Sequence, residues 1–207
     1  MTNSVLINSP IKPFNKKIFV SSDKSLSIRF ILLASQAIGK SRAYNLLNSE
    51  DVNSAINSVK KLGIKVIKTK DYVEVIGNGL NGFNYKNNIQ INAGNSGTLA
   101  RLILGLLMKN ERTVKLIGDK SLSKRDFSRI ENPLKMFGAK IITNKGCMPI
   151  KVSGNKFLRP INFVEKIGSA QIKSFCCLAA LNTPGITKIK AKKSRNHTEI
   201  LFKNLHI

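Results

Sequence analysis

The chain has 207 residues, 42% of them hydrophobic, enough for one well-cored domain or one and a fraction. Its formal net charge of +24 fits a nucleic-acid binder, a pocket for multiply anionic small molecules, or a codon bias rich in Lys, Asn and Ile. Lysines spread along the whole chain and 6% aromatics, without basic–aromatic interleaving, disfavour the nucleic-acid reading; no apolar run approaches the roughly 20 residues that span a bilayer, residues 1–14 lack the apolar stretch of a signal peptide, and a cytoplasmic protein with no membrane segment fits best.

The first predicted helix is KSLSIRFILLASQAIG, capped by Asp23 or Ser22 and left through Gly39, which suits a left-handed exit. A short strand, SRAYNLL, follows. Asn48 or Ser49 then caps a second helix with Glu50 and Asp51 in its first turn, where negative charge meets the positive dipole end. Val52, Ile56, Val59 and Leu62 form its apolar stripe, and Gly63 closes it. IKVIKT and YVEVIG are strands joined by a hairpin turn at Lys70-Asp71. The same order then recurs: the helix NSGTLARLILGLLMKN, the strand TVKLIG, a helix FSRIENPLKMFG ending at Gly138, and the strands AKIIT and PIKVSG. A third copy runs from the helix SAQIKSFCCLAALNT through ITKIKA to HTEILFKNLHI. The repeat predicts an α+β fold of βαβαββ units, two complete and a third truncated before its final hairpin. Leu205-His206-Ile207 falls where the first unit has Leu62-Gly63-Ile64.

Some motifs are decoys. Gly77 to Gly82 matches GxGxxG and follows a strand, but polar FNYKNNIQIN comes next in place of the helix a dinucleotide site needs. Gly39-Lys40-Ser41 resembles the end of a P-loop in the reversed element order. His197 and His206 have no acidic or thiol partners spaced for a metal. Cys147, Cys176 and Cys177 lack ligand spacing too, and Cys176 and Cys177 read as buried reduced thiols.

The helix starts carry the chemistry. A helix N-terminus with free N–H groups favours anions. The first repeat adds Lys24, Ser25 and, a turn on, Arg29, a mobile point charge and a planar fork suited to phosphate or carboxylate. The second begins Asn95-Ser96-Gly97-Thr98, with Arg101 a turn later, and Gly97 allows close approach of a ligand to the backbone. The third begins Gly168-Ser169-Ala170-Gln171. Capping explains the small polar residues but not the paired cations, so three related turns converging on one anionic site are expected.

DKSLSIR, GNSGTLAR, GDKSLSKR, GSAQIKS and SRNHTE, in this order and spacing, resemble the EPSP synthase family of enolpyruvyl transferases from end to end of the chain. SAQIKS and SRNHTE look more like its class II bacterial branch. The related UDP-N-acetylglucosamine enolpyruvyl transferases share the repeat but usually carry Lys-Asn where this chain has Lys24-Ser25.

The resemblance implies an inside-out α/β domain over residues 22–207, incomplete at its C-terminus, with residues 1–21 belonging to a second domain. It implies transfer of the enolpyruvyl group of phosphoenolpyruvate to the 5-hydroxyl of shikimate 3-phosphate, with no metal or organic cofactor, no nucleic-acid partner and a monomeric full-length enzyme. Carried over by residue, Lys24, Ser25, Arg29, Ser169, Ala170, Gln171 and Arg195 would bind shikimate 3-phosphate. Lys24, Asn95, Gly97, Thr98, Arg125 and Gln171 would bind phosphoenolpyruvate. The family's acid–base groups come from the second domain, so no catalytic residue is expected here, and the chain alone should not turn over. Ser21-Ser22 in place of the usual Pro-Gly, Asp126 in place of Pro, and Asn196 in place of Asp depart from the family pattern.

Overall fold

The computed structural model describes residues 6, 8–10, 13 and 15–205. Helix α1, Lys24–Ala34, starts where the Asp23 carboxylate accepts the Leu26 N–H at 2.7 Å, the cap expected from sequence. It ends at Ala34, not at Gly39. Two tight turns follow, from Gln36 N to Leu33 O and from Ala37 N to Ala34 O, and strand β1, Ile38–Tyr44, begins at once. Gly39 does have φ +89°, but inside the strand, opposite Gly77. A Cβ on Gly77 would lie 2.2 Å from Ala34 O and 2.3 Å from Ala37 O, so β3 packs directly against the turn that ends α1.

Helix α2, Glu50–Lys61, is capped by Ser49, and Val52, Ile56 and Val59 are buried along one face. Strands β2, Lys65–Lys68, and β3, Tyr72–Asn78, form the expected hairpin, closed where Thr69 N donates to Tyr72 O at 2.9 Å. The first sheet has the order β1-β3-β2 and is antiparallel throughout.

The second repeat carries all six elements. They are β4, Ile89–Asn92; α3, Gly97–Leu106; β5, Thr113–Ile117; α4, Ser128–Phe137; β6, Lys140–Asn144; and β7, Cys147–Ser153. A one-turn 3₁₀ helix, Leu122–Lys124, precedes α4, and Gly138 ends α4 in the left-handed conformation. Its sheet has the order β4-β5-β7-β6, with β4 parallel to β5.

Among the described residues no strand lies beside β1 as β4 lies beside β5. Ile18, Phe19 and Val20, which precede α1, are exposed.

The third repeat consists of β8, Asn162–Glu165; α5, Ala170–Leu181; β9, Lys188–Ala191; and α6, His197–Asn204. β8 and β9 pair in parallel as β4 and β5 do. The expected end of α6 at His206-Ile207 lies outside the described residues.

α1, α3 and α5 lie inside, and the sheets lie outside with the half-exposed α2, α4 and α6. Eight of the ten residues of α3 are buried, whereas the strands alternate buried and exposed positions. α3 and α5 meet closely at Gly105, where an added Cβ would stand 2.7 Å from Phe175 O. Among the described residues no helix is long and apolar enough to cross a membrane.

Candidate functional site

α1, α3 and α5 each start with a serine or aspartate cap: Asp23 for Leu26 N, Ser96 for Leu99 N and Ser169 for Ile172 N. The starts come together. Gln171 Nε2 donates to Thr98 Oγ1 at 3.1 Å, joining the third turn to the second. Ser25, Arg29, Thr98, Ala170, Gln171 and Arg195 line one narrow cleft with His197. Turns more than seventy residues apart in sequence thus face a common space.

Arg29 is the anchor of this cleft, at 4% exposure. Its Nε donates to Thr198 Oγ1 at 2.8 Å, its Nη2 to Ser174 Oγ at 2.9 Å and its Nη1 to Ser25 O at 3.1 Å. Two of its five N–H donors therefore hold α1 to α5 and α6, a third stays within α1, and two are left for a ligand. Burial, and then the neighbouring Arg195, lower its pKa. Two cations this close favour an anion between them. The first helix dipole adds to that preference.

A second cleft of about 360 Å³ adjoins the first through Gln171 and is lined by Arg101, Arg125, Arg129 and Ser169. Arg101 donates to Gly97 O and Asp126 O and lies 4.5 Å over the Phe127 ring. Burial, and then Arg125, lower its pKa. Arg125 Nη2 donates to Asn95 Oδ1 at 2.9 Å, while Asn95 Nδ2 donates to Asp119 Oδ2 at 2.6 Å. Asp119 thereby sets which face of the Asn95 amide meets the arginine, and the Asn95 N–H holds the Asp119 pKa low. A Cβ on Gly97 would stand 3.0 Å from the Nη1 atoms of both Arg101 and Arg125.

Lys24 stands apart from both clefts. Its Nζ pairs with Asp51 Oδ2 at 2.8 Å, tying the starts of α1 and α2. Ser22 donates to Asn45 O. Asp126 accepts the Ser128 N–H and hydroxyl at 2.8 and 2.9 Å, opening α4 where the resemblance expected a proline. Asn196 precedes α6 without a side-chain cap bond.

The sequence reading missed Arg129 and Glu165. Glu165, at the end of β8 and 4% exposed, accepts from the backbone N–H groups of Ile167, Gly168 and Ser169 and from Arg129 Nη2. Nothing in the local pattern NFVE marks this residue, because its partners are set by the turn that follows and by α4. Burial pushes its pKa up, but the Ser169, Gly168 and Ile167 N–H groups and Arg129 outweigh it and hold the carboxyl below its ordinary 4.5. The stabilisation it gives is thus complete above that value and lost as pH falls through the lower folded-state pKa. Asp119 and Asp126 act in the same direction. Melting curves are expected to show Tm falling between about pH 6 and about pH 3, and less steeply in Glu165→Gln; a Tm constant over that range would contradict this.

Cys176 is buried and Cys177 half-buried, and burial pushes the Cys177 thiol up to about 11. Both are inert thiols at neutral pH.

Comparison with known proteins adds names to this geometry. The family model for EPSP synthase (3-phosphoshikimate 1-carboxyvinyltransferase) matches residues 8–207. A 3-phosphoshikimate 1-carboxyvinyltransferase of Streptococcus pyogenes serotype M2 is 42% identical over 190 residues, covering 90% of this chain and 44% of the relative. The protein of the same name from serotype M49 gives the same identity and coverage. An EPSP synthase structure from Acinetobacter baumannii superimposes with a TM-score of 0.84 at 32% identity, over 91% of this chain and 43% of that one. The chain therefore spans less than half the length of the curated relatives it matches.

Proposed function

The chain belongs to the EPSP synthase family, and on that premise we propose that its anion-lined face serves the transfer of the enolpyruvyl group of phosphoenolpyruvate to shikimate 3-phosphate, releasing phosphate. The observation that carries this is the meeting of three helix starts at two adjoining clefts that share Gln171. The reaction must bring two multiply charged anions together against their own repulsion. Fixed cations and helix N-termini offset that repulsion, and positioning supplies rate.

In this reading Ser25, Arg29, Ser169, Ala170, Gln171 and Arg195 hold shikimate 3-phosphate. Asn95, Gly97, Thr98, Arg125 and Gln171 hold phosphoenolpyruvate, with Arg101 as a further cation beside it. Lys24 reaches the substrates by leaving Asp51. Residues 22–207 belong to the first domain and residues 1–21 to the second, which supplies the acid–base groups, so the 207-residue chain binds without turnover. The full-length enzyme is a cytoplasmic monomer. The relatives' names favour this substrate over UDP-N-acetylglucosamine.

Calorimetric titration with each substrate tests the assignment, using Gly97→Ala to separate the clefts. The new methyl presses on the Arg101 and Arg125 guanidinium groups, so phosphoenolpyruvate is expected to bind about tenfold more weakly, with shikimate 3-phosphate little affected. Binding of neither substrate, together with salt-sensitive binding of duplex DNA, would overturn the reading in favour of a nucleic-acid protein.

A further inference from the structure

Resting on that reading, we propose that Glu165 is a positioning residue that shapes the third anion-binding turn by occupying the N–H groups the substrate must not use. Its Oε2 takes the Gly168 and Ser169 N–H groups, the latter at 2.8 Å, while Oε1 takes Ile167 N–H and Arg129 Nη2. The helix behind this turn offers further donors. Ile172 N–H is capped by Ser169 Oγ, and Lys173 N–H by Ser169 O. The Ala170 and Gln171 N–H groups lie between these two sets and have no intrahelical acceptor, as first-turn donors do not.

The carboxylate thus divides one run of backbone donors in two. Those of residues 167–169 are satisfied from inside, and those of 170–171 are left for an external anion. Gly168 is held at φ +86° in the same turn. The backbone carbonyl of Glu165 also accepts Lys192 N–H, in the segment that leads to Arg195. One buried residue therefore sets the third helix start, reaches α4 through Arg129 and borders the loop carrying a second phosphate ligand.

Glutamine has nearly the same shape but only one acceptor oxygen, and its amide would face donors. Four donors then compete for one oxygen, and the turn loosens without loss of volume. Aspartate keeps the charge with a shorter reach.

The test uses the 207-residue chain with Glu165→Gln and Glu165→Asp, reading amide hydrogen exchange at Gly168 and Ser169 and the Kd for shikimate 3-phosphate. Exchange at the two amides is expected to accelerate about tenfold or more in Glu165→Gln, and the Kd to rise about tenfold. Glu165→Asp should fall between it and the wild type, and serves alone if the glutamine variant does not fold. Wild-type exchange and affinity in the folded variants, or a loss of affinity no larger than the loss of folded protein, overturns the proposal. If the wild-type chain itself binds no shikimate 3-phosphate, the functional reading fails instead. The positioning role is then decided by the exchange rates, which support it if accelerated at these two amides and refute it if not.

Discussion

Arg29→Met is expected to remove shikimate 3-phosphate binding, with a Kd at least about 100-fold higher, and to cost about 2–4 kcal/mol of stability. Both effects come from one guanidinium. Methionine keeps the length and apolar stem but deletes the donors to Thr198, Ser174 and Ser25 O. Thr198 and Ser174 keep their mutual hydrogen bond of 2.7 Å, which softens the loss without replacing the tie from α1 to α5 and α6. The two donors left over for a ligand disappear together with the charge. Lysine at this position keeps the charge but offers no planar fork, so Arg29→Lys should recover part of the stability and little of the affinity. Urea denaturation and calorimetry measure the two losses separately. A variant of normal affinity would remove Arg29 from the site.

Gly105→Val is expected to be the most damaging change away from the clefts, at about 3–4 kcal/mol. A Cβ there would sit 2.7 Å from Phe175 O, 3.1 Å from Ala179 N and 3.3 Å from Leu178 Cβ. Two of these neighbours are backbone atoms, so no rotamer change can make room, and α3 and α5 must move apart. Alanine should cost less, because its better helix propensity offsets about 1 kcal/mol of the clash. The same two helices start at the Asn95–Thr98 and Ser169–Gln171 turns, joined by the Gln171–Thr98 hydrogen bond. Gly105→Val should therefore weaken both substrates even in the molecules that remain folded, whereas an ordinary core lesion would lower stability alone. Titration of each substrate at a temperature well below Tm distinguishes the two.

The chain order of elements was legible because it depends on neighbours in sequence. Asp23 and Ser49 cap as their chemistry requires, and the Val52–Ile56–Val59 stripe is buried where its period places it. The convergence of the helix starts followed from the repeat, since similar units pack similarly. What the sequence concealed depends on pairs distant along the chain. Gly105 looks like a mild helix defect until α5 is laid against it. Glu165 looks like a strand-end carboxylate until the turn and Arg129 close around it. Lys24 looks like a free cation until α2 brings Asp51 to it. The early end of α1 has the same origin, because Gly77 of β3 packs against Ala34 O and Ala37 O in the turn between α1 and β1, while Gly39 keeps its positive φ inside the strand.

The sheet edges give the basic composition a further meaning. Among the described residues β1 and β2 flank one sheet, β4 and β6 the next, and β8 and β9 have only each other. Such borders are templates on which a second molecule can continue the ladder. Lys40 and Arg42 on β1, Lys65 and Lys68 on β2, Lys140 on β6, and Lys188 and Lys190 on β9 are all exposed on those strands. Stacking two copies along β1, β2 or β9 would bring like charges close together. Seven of the 35 lysines and arginines thus lie where they oppose edge-to-edge self-association.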